Sequence, residues 1–135
     1  GAIVRTYLRD FYGSMEDALN FGLPTDRFVA EWWINYKKPR IPSPEAFLNS
    51  PEAPGKVDLH FRNDCIGLYI PKDFVSMKRN DKDSALNVRI SLRTALEKAF
   101  ENRYEVVDFN KNGSYYVLWK NMEFEKIHPE RIFNP

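Results

Sequence analysis

Several things are scarce in this chain of 135 residues. Cysteine occurs once, at Cys65, so no internal disulfide can form and the composition fits a reducing, cytoplasmic setting. Histidine occurs twice, at His60 and His128, and no His or Cys pair has zinc-ligand spacing. His60 therefore reads as a structural or surface residue. The six glycines are scattered and no G-x-G occurs, so the closely spaced glycines that cradle phosphate between a strand and a helix are missing. An excess of one charge is missing too. Twenty Lys and Arg against nineteen Asp and Glu leave a net charge of +1, which gives no electrostatic footprint for nucleic acid. No apolar run approaches the ~20 residues that span a bilayer.

What is present is core material. Hydrophobic residues make up 43% and aromatics 15%, which argues against disorder and for one domain, or a piece of a larger one. The start at Gly1-Ala2 rather than Met raises the expectation that the chain belongs to something longer. Turn chemistry, charge and aromatic surface meet most densely at Pro24–Ile34. From Arg27 the residues alternate: Phe28, Ala30, Trp32 and Ile34 on one face, Arg27, Val29, Glu31 and Trp33 on the other. Period two with bulky side chains predicts a strand, over about Thr25–Tyr36. The first face is expected to be buried and the second to be half-covered beside a cleft.

Ala2–Leu8 reads as a preceding strand that pairs with it. Between Lys37 and Lys56 lie five of the nine prolines, which predicts an irregular linker, with Ala46-Phe47-Leu48 pinning its middle to the body. Val57–Phe61 and Cys65–Ile70 read as a hairpin, closed by Pro71. A short helix over Lys72–Arg79 follows. A long one, capped by Asp81 or Asp83, runs to about Asn102 with Ala85, Val88, Leu92, Ala95, Leu96, Ala99 and Phe100 as its apolar stripe. Arg93 and Glu97, four residues apart on an outer face, can pair. Tyr104–Phe109 and Tyr115–Trp119 make a second hairpin around Asn112-Gly113, a dipeptide suited to positive φ at both turn positions. The resulting class is α+β: a mixed or antiparallel sheet with hairpins, packed on one long and one or two short helices.

Among carboxylates Glu31 ranks first as a catalytic candidate. Flanked by Ala30 and Trp32, it could be desolvated and act as a general base, or it could pair with Arg27 or Arg5. Tyr12, before Gly13, is a candidate proton donor or a buried structural tyrosine. Asp26, Arg27 and Trp33 are candidate substrate-binding residues. Trp32 and Trp33 point to opposite faces, so at most one can line a pocket. Cys65, at a strand start, reads as inert core.

A resemblance adds to this. Gly1–Gly13, Asp17–Asn20, Gly22–Phe28, Glu31 and Trp32, then Ile70–Phe74, Asn87–Ala99 and Tyr104–Phe109, resemble one group of predicted acetyltransferases in the GNAT superfamily. The resemblance implies acetyl-CoA as coenzyme and an amine as acceptor. It also implies that residues 1–36 are the last two strands of an acyl-CoA N-acyltransferase-like sheet forming part of the acceptor wall. Residues 37–56 are then a linker, 57–120 an α+β extension and 121–135 a tail. The coenzyme loop and the tyrosine that such enzymes commonly use lie before this stretch in the group, so none of its cofactor residues transfers to these positions. The chain is expected to supply acceptor-side surface and to be inactive without a preceding half. The alternative is a non-catalytic binding or dimerisation module, pairing through an exposed sheet edge beside Ile3–Leu8 or binding small ligands on Trp33, Tyr36, Tyr115 and Tyr116.

Overall fold

The structure, a computed structural model, describes residues 2–9, 26–32 and 39–120. Its elements are β1 (Ala2–Leu8), β2 (Arg27–Trp32), β3 (Ala46–Phe47), β4 (Cys65–Tyr69), α1 (Phe74–Asn80), α2 (Lys82–Glu101), β5 (Glu105–Asn110) and β6 (Tyr115–Trp119). The strands form one mixed sheet in the order β2-β1-β5-β6-β4-β3. Every pairing is antiparallel except β3–β4. The α+β class stands. The strands of 1–36 and of 57–120 share this sheet, joined where Val4 pairs with Val106.

The apolar stripe on α2 explains why the helix lies on the sheet. Ala95, Leu96, Ala99 and Phe100 bury against Ile66, Leu68, Val106 and Leu118, with Leu48 and Tyr104 in the same cluster. The opposite face of the sheet holds a smaller cluster of Ile3, Cys65, Val107 and Val117. Asp81 caps α2 by accepting from the Ser84 N–H at 3.1 Å and its hydroxyl at 2.7 Å. At the other end Arg103 adopts φ 70° while Tyr104 N–H bonds back to Ala99 O at 3.0 Å, a left-handed helix stop.

Two local expectations need correction. Val57–Phe61 is not a strand, and its hairpin with β4 does not form. Both edges of β4 are already taken, by β6 and by β3. The alternation there instead reflects Val57, Leu59 and Phe61 resting half-buried on the main cluster. The proline-rich segment meets the sheet at Ala46-Phe47-Leu48, the stretch read as pinning its middle. It supplies β3, extended by Leu48 N–H to Gly67 O at 2.9 Å, and Asn49 prolongs the pairing with its side-chain amide, which accepts from Tyr69 N–H at 2.7 Å and donates to Tyr69 O at 2.9 Å. The β5–β6 hairpin is present, but its left-handed residue is Ser114 (φ 59°) and not Asn112. The Asn110 side chain accepts from Gly113 N–H at 2.8 Å and Asn110 O from Ser114 N–H at 2.8 Å, which favours a four-residue loop.

The edge expected to be open beside β1 is closed, because β1 lies between β2 and β5. Among the described residues the outer strands are β2 and β3.

Candidate functional site

Period two holds along β2, but the two faces are buried otherwise than expected. Phe28 is half-buried, Ala30 is exposed and Trp32 is 71% exposed, whereas Glu31 is buried at 1%. The helix explains this, since it covers only the Arg27 end of the strand. Phe28 sits under it, 6.3 Å from the Phe100 ring, and the chain then runs out past the helix. Glu31 pairs with Ile3 across the ladder, on the face away from α2. Its two oxygens accept from Arg5 Nε at 2.7 Å and Nη2 at 2.9 Å, and the Arg5 side chain is wholly buried. The ion-pair alternative with Arg5 is thus the geometry found, and Glu31 takes no part in the cleft described next.

On the α2 face, β1, β2, β6, α1 and α2 enclose a cleft of about 350 Å³. Phe28 forms its floor, with Tyr7 and Tyr116 edge-on at 6.0 and 5.3 Å. Ile70, Pro71 and Phe74 supply one wall, Arg89, Leu92 and Leu96 the other, and Asp26 and Arg27 lie at the β2 end. The volume is in the lower part of the range for small-molecule sites, and mostly apolar walls with a few convergent polar groups are what such sites use.

The polar groups form one connected set. Arg93 donates to both oxygens of Asp26, each at 2.8 Å, replacing the expected Arg93–Glu97 pair. Tyr7 donates its hydroxyl proton to Asp26 at 2.6 Å. Glu97 instead accepts from Arg9 at 2.6 and 2.7 Å, so α2 grips the end of β1 and the start of β2 through two guanidinium–carboxylate forks. Arg27 turns its guanidinium back to donate to Asp26 O at 2.7 Å. Arg89 lies 4.9 Å above the Phe74 ring, a cation–π arrangement.

These contacts set the chemistry. Burial pushes the Tyr7 phenol far above its ordinary value, and the hydrogen bond to Asp26 adds to the shift. Tyr7 therefore keeps its proton and acts as a donor. Asp26 accepts three hydrogen bonds, one from Tyr7 and two from Arg93. Burial likewise pushes Cys65 up to about 11, with Glu45 adding to it, so the thiol is not a nucleophile. His60 is exposed beside Asp58.

Of the residues singled out in the sequence, Asp26 and Arg27 meet in the cleft, Glu31 lies across the sheet, and Tyr12 and Trp33 fall outside the described residues. Tyr7, Arg89 and Arg93 were missed. A signal for the helix residues existed: Arg89, Leu92, Arg93 and Leu96 follow helical spacing and share one face, where two cations border the apolar stripe. Tyr7 carried none, because an aromatic in a strand reads as core.

Comparison with family models, with curated proteins and with solved structures finds no match for this chain. Among the described residues no group of three or more His, Cys, Asp or Glu could hold a metal ion. The described helix starts do not suit a coenzyme pyrophosphate. The carboxylates of Asp73 and Asp81 already sit there, each accepting one N–H, from Ser76 and Ser84, and a second anion would meet their negative charge.

Proposed function

We propose that this chain is the acceptor-side portion of a GNAT-like acetyltransferase, and that the cleft between the sheet and α2 receives the amine acceptor. One observation carries the reading. The segments that resemble the acetyltransferase group, far apart in sequence, converge on this cleft: apart from Tyr116, every lining residue belongs to them. In this reading Arg27 contacts the acceptor, Asp26 and Tyr7 fix the shape of the wall, and Glu31 braces the sheet from behind. The coenzyme, which supplies the acetyl group, is held by residues other than those described. No step through it is assigned to these side chains.

Calorimetry with acetyl-CoA tests the division of labour, on this chain and on a form extended at its N-terminus. Binding by the extended form alone is the expected result. Binding by this chain alone would overturn the division, and binding by neither would overturn the transferase reading.

A second reading, a dimerisation module, is favoured by Trp32, 71% exposed on the outer strand β2. Sedimentation that shows a monomer at all concentrations removes it.

A further inference from the structure

The polar side chains that line the cleft are engaged, with one exception. Tyr7 donates its hydroxyl to Asp26, and Arg93 meets both oxygens of that carboxylate. Arg27 donates to Asp26 O and Arg89 lies on the Phe74 ring, and both make further contacts. The hydroxyl of Tyr116, in contrast, meets no hydrogen-bond partner among the described residues. Its ring is held in place. It stands on β6, a strand paired on both sides, with the Phe28 ring at 5.3 Å and the Phe109 ring at 5.1 Å. Burial raises the pKa of this phenol, so it keeps its proton and remains an uncharged donor. A half-buried hydroxyl without a partner forgoes a hydrogen bond that a ligand can supply.

Resting on the reading that the cleft takes the acceptor, we propose that Tyr116 is a specificity-determining residue, its hydroxyl donating a hydrogen bond to an uncharged oxygen carried on the apolar body of that acceptor. The donor defines the oxygen. One neutral O–H between apolar walls satisfies a hydroxyl or a carbonyl, whereas a carboxylate stripped of water needs several donors at once. The walls define the body. Phe28, Leu92 and Leu96 present apolar surface, and Phe28 already takes the Tyr7 and Tyr116 rings edge-on, a packing that a ring on the ligand extends. Discrimination follows from the cost of an unmet donor: an acceptor without the oxygen displaces water from Tyr116 and gives nothing back. Tyr116 lies outside the segments that resemble the acetyltransferase group, so this selectivity is a property of this chain and not one that the resemblance implies.

Calorimetry with tyramine and phenethylamine, two amines that differ only in a ring hydroxyl, tests this. Tyramine is expected to bind about fivefold more tightly. Tyr116→Phe, which removes one oxygen and keeps the ring, should bring the two affinities together. A second readout on the unmodified protein does not depend on how the variant folds. With isotope-labelled tyrosine, the resonance of the Tyr116 carbon that bears the hydroxyl should move with tyramine well beyond its movement with phenethylamine. Equal affinities for the two probes overturn the proposal while leaving an amine acceptor in place. A tyramine preference that persists in Tyr116→Phe, equal movement of the Tyr116 resonance with both probes, or no binding of either overturns it as well. The acetyl-CoA experiment judges the transferase reading separately.

Discussion

Arg93 and Asp26, 67 residues apart, form a two-pronged ion pair that fastens α2 to the start of β2, with side chains only 12% and 3% exposed. Breaking such a pair strands a charge away from water. Asp26→Ala is expected to cost about 3 kcal/mol. The double variant with Arg93→Ala should cost clearly less than the sum of the two singles, because the second removal takes away a charge already stranded. Denaturant titration of the four proteins gives the coupling, and strictly additive losses would contradict the contact.

Tyr7 predicts an alkaline limit to stability. Its folded-state pKa lies above the ordinary value near 10, so above about pH 10 the unfolded chain releases a proton that the folded one retains. The contribution is complete below pH 10 and is lost as pH rises. Tyr104 and Tyr116 shift in the same direction, again through burial, and share the limb. Tyr7→Phe should flatten the fall of melting temperature above pH 10 by up to one proton's worth of slope. An unchanged slope counts against the buried Tyr7–Asp26 bond.

Gly67 lies directly beneath the Phe47 ring. A Cβ there would come within 2.3 Å of that ring, which is stacked on Tyr69 at a centroid distance of 4.6 Å. Gly67→Ala should cost roughly 1–3 kcal/mol by displacing Phe47 and loosening β3. In a Phe47→Ala background the same change should cost little. Thermal melts of the cycle decide it, and an equal penalty in both backgrounds would place the strain elsewhere.

Arg103 stops α2 in a left-handed conformation that glycine adopts without strain. Arg103→Gly is expected to stabilise the fold by roughly 0.5–1 kcal/mol, or a few degrees of melting temperature. A lower melting temperature would mean that contacts of the Arg103 side chain outweigh the backbone gain.

Much of the frame was legible in the sequence. Apolar spacing located α2, with Asp81 or Asp83 as its cap, and β1, β5 and β6 followed from β-branched and aromatic runs and the Asn112-Gly113 turn. Where the reading failed, competition for partners was the cause. Val57–Phe61 has strand-like alternation, but whether it joins a ladder depends on which edges of β4 other strands occupy. Arg93 and Glu97 have ideal spacing for each other, yet each finds a partner just after β1 or just before β2, which local spacing cannot reveal. The candidate site was half legible for the same reason. Asp26 and Arg27 stood out within one dense stretch. Tyr7, Arg89 and Arg93 become site residues only once α2 lies across the β1–β2 pair.

The working surface proposed for this chain lies between the sheet and α2. Amide correlation spectra recorded while phenethylamine, an amine on an apolar body, is titrated into the protein test it most directly. Shifts concentrated at Arg27–Phe28, Ile70–Phe74 and Arg89–Leu96 are the predicted result. Shifts centred instead on Phe47, Tyr69 and Tyr115, or around Glu31 and Trp119 on the opposite face, would contradict it.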